Sequence, residues 1–194
     1  MKGPCGRSRG PTPRIMATKL KQINISYNPV EDRLLLRISS ESEGALTEYR
    51  LWLTRRFAQG FWNVCERIVE DDTRRVEGVP SDHREALKEF QQEAALSTTD
   101  FKTPYAAPTA ETPLGPAPLL ISKLQAHRGP GPHHTMSFVT AEGKSINLAM
   151  TLPLIHSIRK LIADAVEKTG WNLPLTVSLQ KTPAAAMEKP RRIN

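Results

Sequence analysis

Five arginines and one tryptophan have the types and spacing to do chemistry together: Arg33, Arg37, Arg50, Arg55, Arg56 and Trp52. Guanidinium groups neutralise phosphates and an indole face stacks on a base, which is the pairing single-strand nucleic-acid binders use. An alternative set, Leu35, Trp52 and Trp62, offers large apolar side chains that could anchor a protein partner or a second copy of the chain. Nothing in the sequence suits catalysis so well. It has no Gly-rich phosphate loop, nucleophile elbow or metal-carboxylate motif. Cys5 and Cys65 give neither a disulfide framework nor a metal-ligand spacing, and Cys65 falls on an apolar helix stripe where an inert buried thiol is expected. His133 and His134 are adjacent and would point to opposite faces of a strand, while His83, His127 and His156 are dispersed. The expectation is a non-enzymatic protein with no cofactor and no metal.

The 194 residues carry a net charge of +7 and a pI near 9.6, a balance that favours nucleic acid or an anionic surface. Its placement is uneven. Residues 1–22 hold six lysines and arginines and no acid, and residues 181–194 hold four against one, which leaves residues 23–180 two charges negative. Both ends therefore read as basic tails, the first of them disordered. No apolar run reaches the roughly 20 residues of a membrane span, and the start lacks the apolar stretch of a secretory leader. A cytoplasmic setting without membrane contact is expected.

The elements that must position these residues come in two similar sets. Ile23–Tyr27, Arg33–Ser39 and Thr47–Thr54 alternate apolar and polar residues and predict an antiparallel three-strand meander with Leu34, Leu36, Ile38, Tyr49, Leu51 and Leu53 on its inner face. Thr54 can cap the amphipathic helix that follows, and the acids Glu70, Asp71 and Asp72 are expected to end it near Glu70. Tyr49–Glu70 lies over Ile146–Glu167 without a gap, so that Phe57, Ala58, Phe61, Val64, Cys65, Ile68 and Val69 match Leu154, Ile155, Ile158, Leu161, Ile162, Ala165 and Val166. The prediction is α+β: tandem β-β-β-α repeats with antiparallel sheets, paired amphipathic helices and a pseudo-twofold. The first repeat with an extra helix spans 23–97, a Pro-rich linker 98–117, and the second repeat 118–180. The extra helix, from Ser81 or Asp82 to about Ser97, carries a narrow stripe of Leu87, Phe90 and Ala94. Off the common helix stripe, Arg67, Arg159 and Lys160 read as a solvated face, and Trp62 as an edge contact or partner anchor. Leu173–Leu179 offers one further strand.

The runs Glu31–Ile38, EDRLLLRI, and Glu48–Arg56, EYRLWLTRR, resemble a pattern in a family of small, uncharacterised proteobacterial proteins. That resemblance implies a bacterial origin and supplies no activity. Two sets of strands each followed by a helix are also similar in architecture to the Whirly, PUR and PC4-like single-strand binders, which usually have four strands per repeat. Sequence and resemblance together favour single-stranded DNA or RNA bound through the first-half sheet and the tails. A homo-oligomer or a protein partner on the tryptophan-bearing face is the alternative.

Overall fold

The computed structural model describes residues 19–42, 45–106, 111–129 and 131–175. Strands β1 (Lys19–Asn28), β2 (Arg33–Ser42) and β3 (Ala45–Leu53) precede helix α1 (Arg55–Arg74). A single 3₁₀ turn at Ser81–His83 leads into α2 (Arg84–Thr98), and β4 (Leu119–Arg128), β5 (His133–Thr140), β6 (Ser145–Thr151) and α3 (Leu152–Val166) follow. The fold is mixed α+β. Its six strands lie in sequence order, as two antiparallel meanders joined by a short parallel pairing of Leu51 with Leu119 and Trp52 with Leu120.

Alternation decides which side of each strand is buried. Leu34, Leu36, Ile38, Tyr49, Leu51 and Leu53 turn inward and are buried, as are Met136, Phe138, Ile146, Leu148 and Met150 in the second meander. Helices α1 and α3 cover this inner face, and Phe61 meets Phe138 edge to face at 5.4 Å. Ala58, Phe61, Cys65, Ile68 and Val69 are buried along α1, and Ile155, Ile158, Ile162, Ala165 and Val166 occupy the matching positions of α3. Each helix leaves its strand through a threonine in extended conformation, Thr54 and Thr151. Only Thr54 caps with its side chain, accepting from the Phe57 N–H at 3.2 Å. The first strand of each meander also carries an irregularity near its start, between Leu20 and Gln22 and between Ile121 and Lys123.

Several boundaries differ from the sequence reading, each for a long-range reason. β1 begins at Lys19, inside the segment read as tail, because residues 19–22 pair with β2. The remaining tail residues, 1–18 and 181–194, and residues 176–179 of the further strand lie outside the described residues; Leu173–Leu175 form no strand. α1 runs past Glu70 to Arg74, since its terminal acids are neutralised. Arg74 lies 3.4 Å from both Glu70 and Asp71, while Asp72 receives Arg128 and His134 from the β4–β5 hairpin. The predicted α2 stripe does not face the core: Phe90 is 68% exposed, and Gln92 and Ala95 are the buried residues. α2 lies on a polar seam along α1 and α3, where Lys88 pairs with Glu66 at 2.7 Å and Thr99 shares a 2.8 Å hydrogen bond with Ser157. The helix faces read as solvated are likewise partly interior. Trp62 and Arg159 are buried against each other at 4.8 Å, and the Arg159 guanidinium donates to Glu66 and Gln92.

The Pro-rich segment is a strap. Phe101 lies beside Lys160 of α3, Ala106 N–H reaches Gln22 on β1 at 3.2 Å, and Tyr105 sits over β2 and β3. Beyond it, Glu111 pairs with β3 through Leu46 and Glu48. The described parts of the segment thus lie on the helix side, at the β1 edge and on the outer face of the first meander before β4 begins.

Candidate functional site

The outer face of the first meander is built by register. Pairing puts Leu35 opposite Trp52 and Arg37 opposite Arg50, and the parallel junction adds Leu120 beside Trp52. Leu35, Trp52 and Leu120 form a half-buried apolar row across β2, β3 and β4. Leu120 is a member the sequence did not offer, because its neighbour Trp52 is 68 positions away and only the sheet junction joins them.

Two guanidinium groups directly opposite one another repel, and Glu48 of β3, Asn24 of β1 and the strap together resolve the conflict. The Glu48 carboxylate, 2% exposed, accepts from Arg50 Nε at 2.9 Å and Nη2 at 2.6 Å, and from the Tyr105 hydroxyl at 3.1 Å. Arg50 Nη1 also donates to the Pro116 carbonyl at 3.0 Å. Arg37 donates to Asn24 at 2.9 Å and lies 4.3 Å from the centre of the Tyr105 ring. Burial, reinforced by the Glu48 carboxylate, pushes the Tyr105 phenol up to about 12, so it stays a donor throughout the ordinary pH range. Arg37 and Arg50 are consequently engaged by their own chain. Tyr105 was not legible as a partner because it sits among prolines and alanines that carry no periodicity.

The other end of the face is open. Arg33 makes a 3.6 Å ion pair with Glu31, both partners well exposed, an interaction of small value in water. Arg55 and Arg56 are exposed on the first turn of α1, which holds no acid, and their guanidinium groups have no partner among the described residues. Cations at that end oppose the helix dipole by roughly 0.3–1 kcal/mol each. Trp62, by contrast, has no outward face: it is 6% exposed beneath Arg159, which removes it from the partner-binding set.

The remaining reactive groups are confined. The Cys65 thiol is fully buried and burial pushes it up to about 12, far from a thiolate. His134 is buried on Asp72 at 2.8 Å while His133 is exposed on the opposite face. Among the described residues no group of three or more His, Cys, Asp or Glu converges as metal ligands, and no helix is long and apolar enough to cross a membrane. No family model, curated protein or solved structure matches the chain, so the chemistry of this site rests on the geometry of its own residues.

Proposed function

We propose that the protein is a non-enzymatic, cytoplasmic binder of single-stranded nucleic acid, with its contact surface at the open end of the first meander. Bases stack on the Leu35, Trp52 and Leu120 row, and phosphates meet Arg33, Arg55 and Arg56, with the basic tails adding sequence-independent attraction. The observation that carries this reading is the pair of arginines without a partner among the described residues, held on a helix turn that disfavours them, three and four positions along the chain from the half-buried Trp52. Arg37 and Arg50 support the surface from within the strap contacts and are not assigned to phosphate.

The test is anisotropy titration of a labelled oligonucleotide with the full chain. Affinity is expected to fall with salt, by a logarithmic slope of about −0.7 for each phosphate neutralised. Reversing both charges, Arg55→Glu with Arg56→Glu, is expected to weaken binding at least tenfold. Trp52→Ala is expected to cost about 1–3 kcal/mol. Unchanged affinity in the charge-reversed chain would assign the binding to the tails and remove this surface from it.

The apolar row favours a second reading, a homo-oligomer or protein assembly through Leu35 and Trp52. In that case sedimentation shows a dimer or larger species that Trp52→Arg dissociates; a monomer at every concentration rejects it.

The same proposal takes the two β-β-β-α sets as copies of one unit about a pseudo-twofold. Matching burial along α1 and α3 supports this, as does the contact of Trp62 with Arg159. Those two occupy the same position in the gapless alignment, and equivalent positions can touch only close to such an axis.

A further inference from the structure

The two halves exchange their helix ends, and one of the two resulting clefts is filled while the other is open. The chain beyond α3 returns to the β1–β2 hairpin, where Trp171, 5% exposed, closes the cleft. Its indole N–H donates to Asp32 at 2.8 Å and its ring meets Tyr27 edge to face at 6.1 Å. The end of α1 meets the β4–β5 hairpin in the corresponding way, tied by Asp72 to Arg128 and His134. Carried four residues past its end at Glu70 and Glu167, the alignment sets Trp171 against Arg74, which is still within α1, turns to solvent and pairs with Glu70 and Asp71. Among the described residues nothing takes the place of the indole, and a cavity of about 270 Å³ remains on the inner side of the sheet, apart from Trp52.

The lining gives this cavity a chemistry. Val64, Ile68 and Ala126 supply an apolar wall and Arg67, Arg75 and Arg128 three guanidinium groups; Asp71 and Asp72 also line it, with His127 and His134, but Asp71 pairs with Arg74 and Asp72 with Arg128 and His134. Arg128 is already held by Asp72, but Arg67 and Arg75 are exposed and have no partner among the described residues. The volume is just below the usual range of small-molecule sites, which admits one ring system and excludes a dinucleotide.

We infer that this cleft binds a small planar aromatic ligand carrying one anionic group, its ring against Val64, Ile68 and Ala126 and its anion drawn to Arg67 and Arg75, the lining cations that no described acid holds. The ring occupies the place Trp171 fills in the other half, and a carboxylate or phosphate matches a pair of guanidinium forks. This site goes beyond the oligonucleotide surface and does not depend on it.

The experiment titrates the full, isotopically labelled chain with four probes, adenosine 5′-monophosphate, indole-3-acetate, adenosine and inorganic phosphate, following the amide signals of Ile68, Ala126 and His134. At least one of the two aromatic anions is expected to shift those signals with a Kd of about 1 mM or tighter. Which of them binds distinguishes a phosphate from a carboxylate ligand. Adenosine and phosphate alone are each expected to bind at least tenfold more weakly, because each meets half of the site. Arg67→Glu with Arg75→Glu is expected to weaken the aromatic anion at least tenfold, and the neutral pair Arg67→Gln with Arg75→Gln gives the same direction if charge reversal disturbs folding. Arg55→Glu with Arg56→Glu is expected to leave it unchanged, which separates this site from the oligonucleotide surface. The inference is overturned if neither aromatic anion moves these amides at about 5 mM, if phosphate alone binds as tightly, or if the Arg67 and Arg75 substitutions have no effect.

Discussion

His156 shows how far a single residue's role depends on what folds against it. It is 1% exposed and neither ring nitrogen has a protein partner. Burial, and after it the Arg159 guanidinium, lowers its pKa from the usual 6.5 to about 4, with Lys88 acting in the same direction and Glu66 against it. The sign follows from the unfolded chain, which takes up a proton near pH 6.5 while the folded ring stays neutral. Stability from this residue is therefore complete above about pH 6.5 and is lost as pH falls towards 4, by about 3 kcal/mol in all. His156→Leu is expected to lose less stability than the parent chain between pH 7 and pH 4.5 in urea titrations; identical losses would clear His156 of the effect. The sequence showed His156 as one dispersed histidine. Arg159 is one turn away on the same helix, but Glu66 and Lys88 come from α1 and α2, and no spacing along the chain brings those to His156.

At the scale of elements, the strand-to-helix passages were the most legible part of the sequence. Alternation fixed which side of each strand is buried, and the threonine before each apolar stripe marked where the helix begins. The two caps nevertheless differ: Thr54 hydrogen-bonds the Phe57 N–H, whereas Thr151 makes no side-chain cap and has Pro153 in the first turn. Thr54→Ala is expected to destabilise by about 1 kcal/mol, and Thr151→Ala by distinctly less, both read from the urea midpoint at unchanged slope. Equal losses would mean the Thr54 hydrogen bond contributes nothing of its own. The end of α1 and the packed side of α2 were not legible, because partners from elsewhere decide them. Asp72 is neutralised from the β4–β5 hairpin, and α2 follows a seam of Glu66, Gln92 and Ser157 where a hydrophobic count has no purchase.

Across the whole molecule, the two halves are held by reciprocal ties, Asp72 reaching the second hairpin and Trp171 the first. Trp171 lies beyond the last helix and outside every periodic stretch, yet it is buried on Asp32, a residue in the left-handed region at φ 46°. Trp171→Ala is expected to cost about 3–5 kcal/mol in a denaturant titration, and a loss under about 1 kcal/mol would show that the second half does not depend on this tie. The amino-acid sequence alone determined the class of fold, the order of the elements and the inward face of each strand, because these follow from periods of two and 3.6 residues that are local to the chain. Only the tertiary structure decided which arginines are free. Arg37 and Arg50 lost their availability to Asn24, Glu48 and a strap whose course no local pattern encodes, and Arg55, Arg56, Arg67 and Arg75 kept theirs because, among the described residues, no acid from a distant element reaches them.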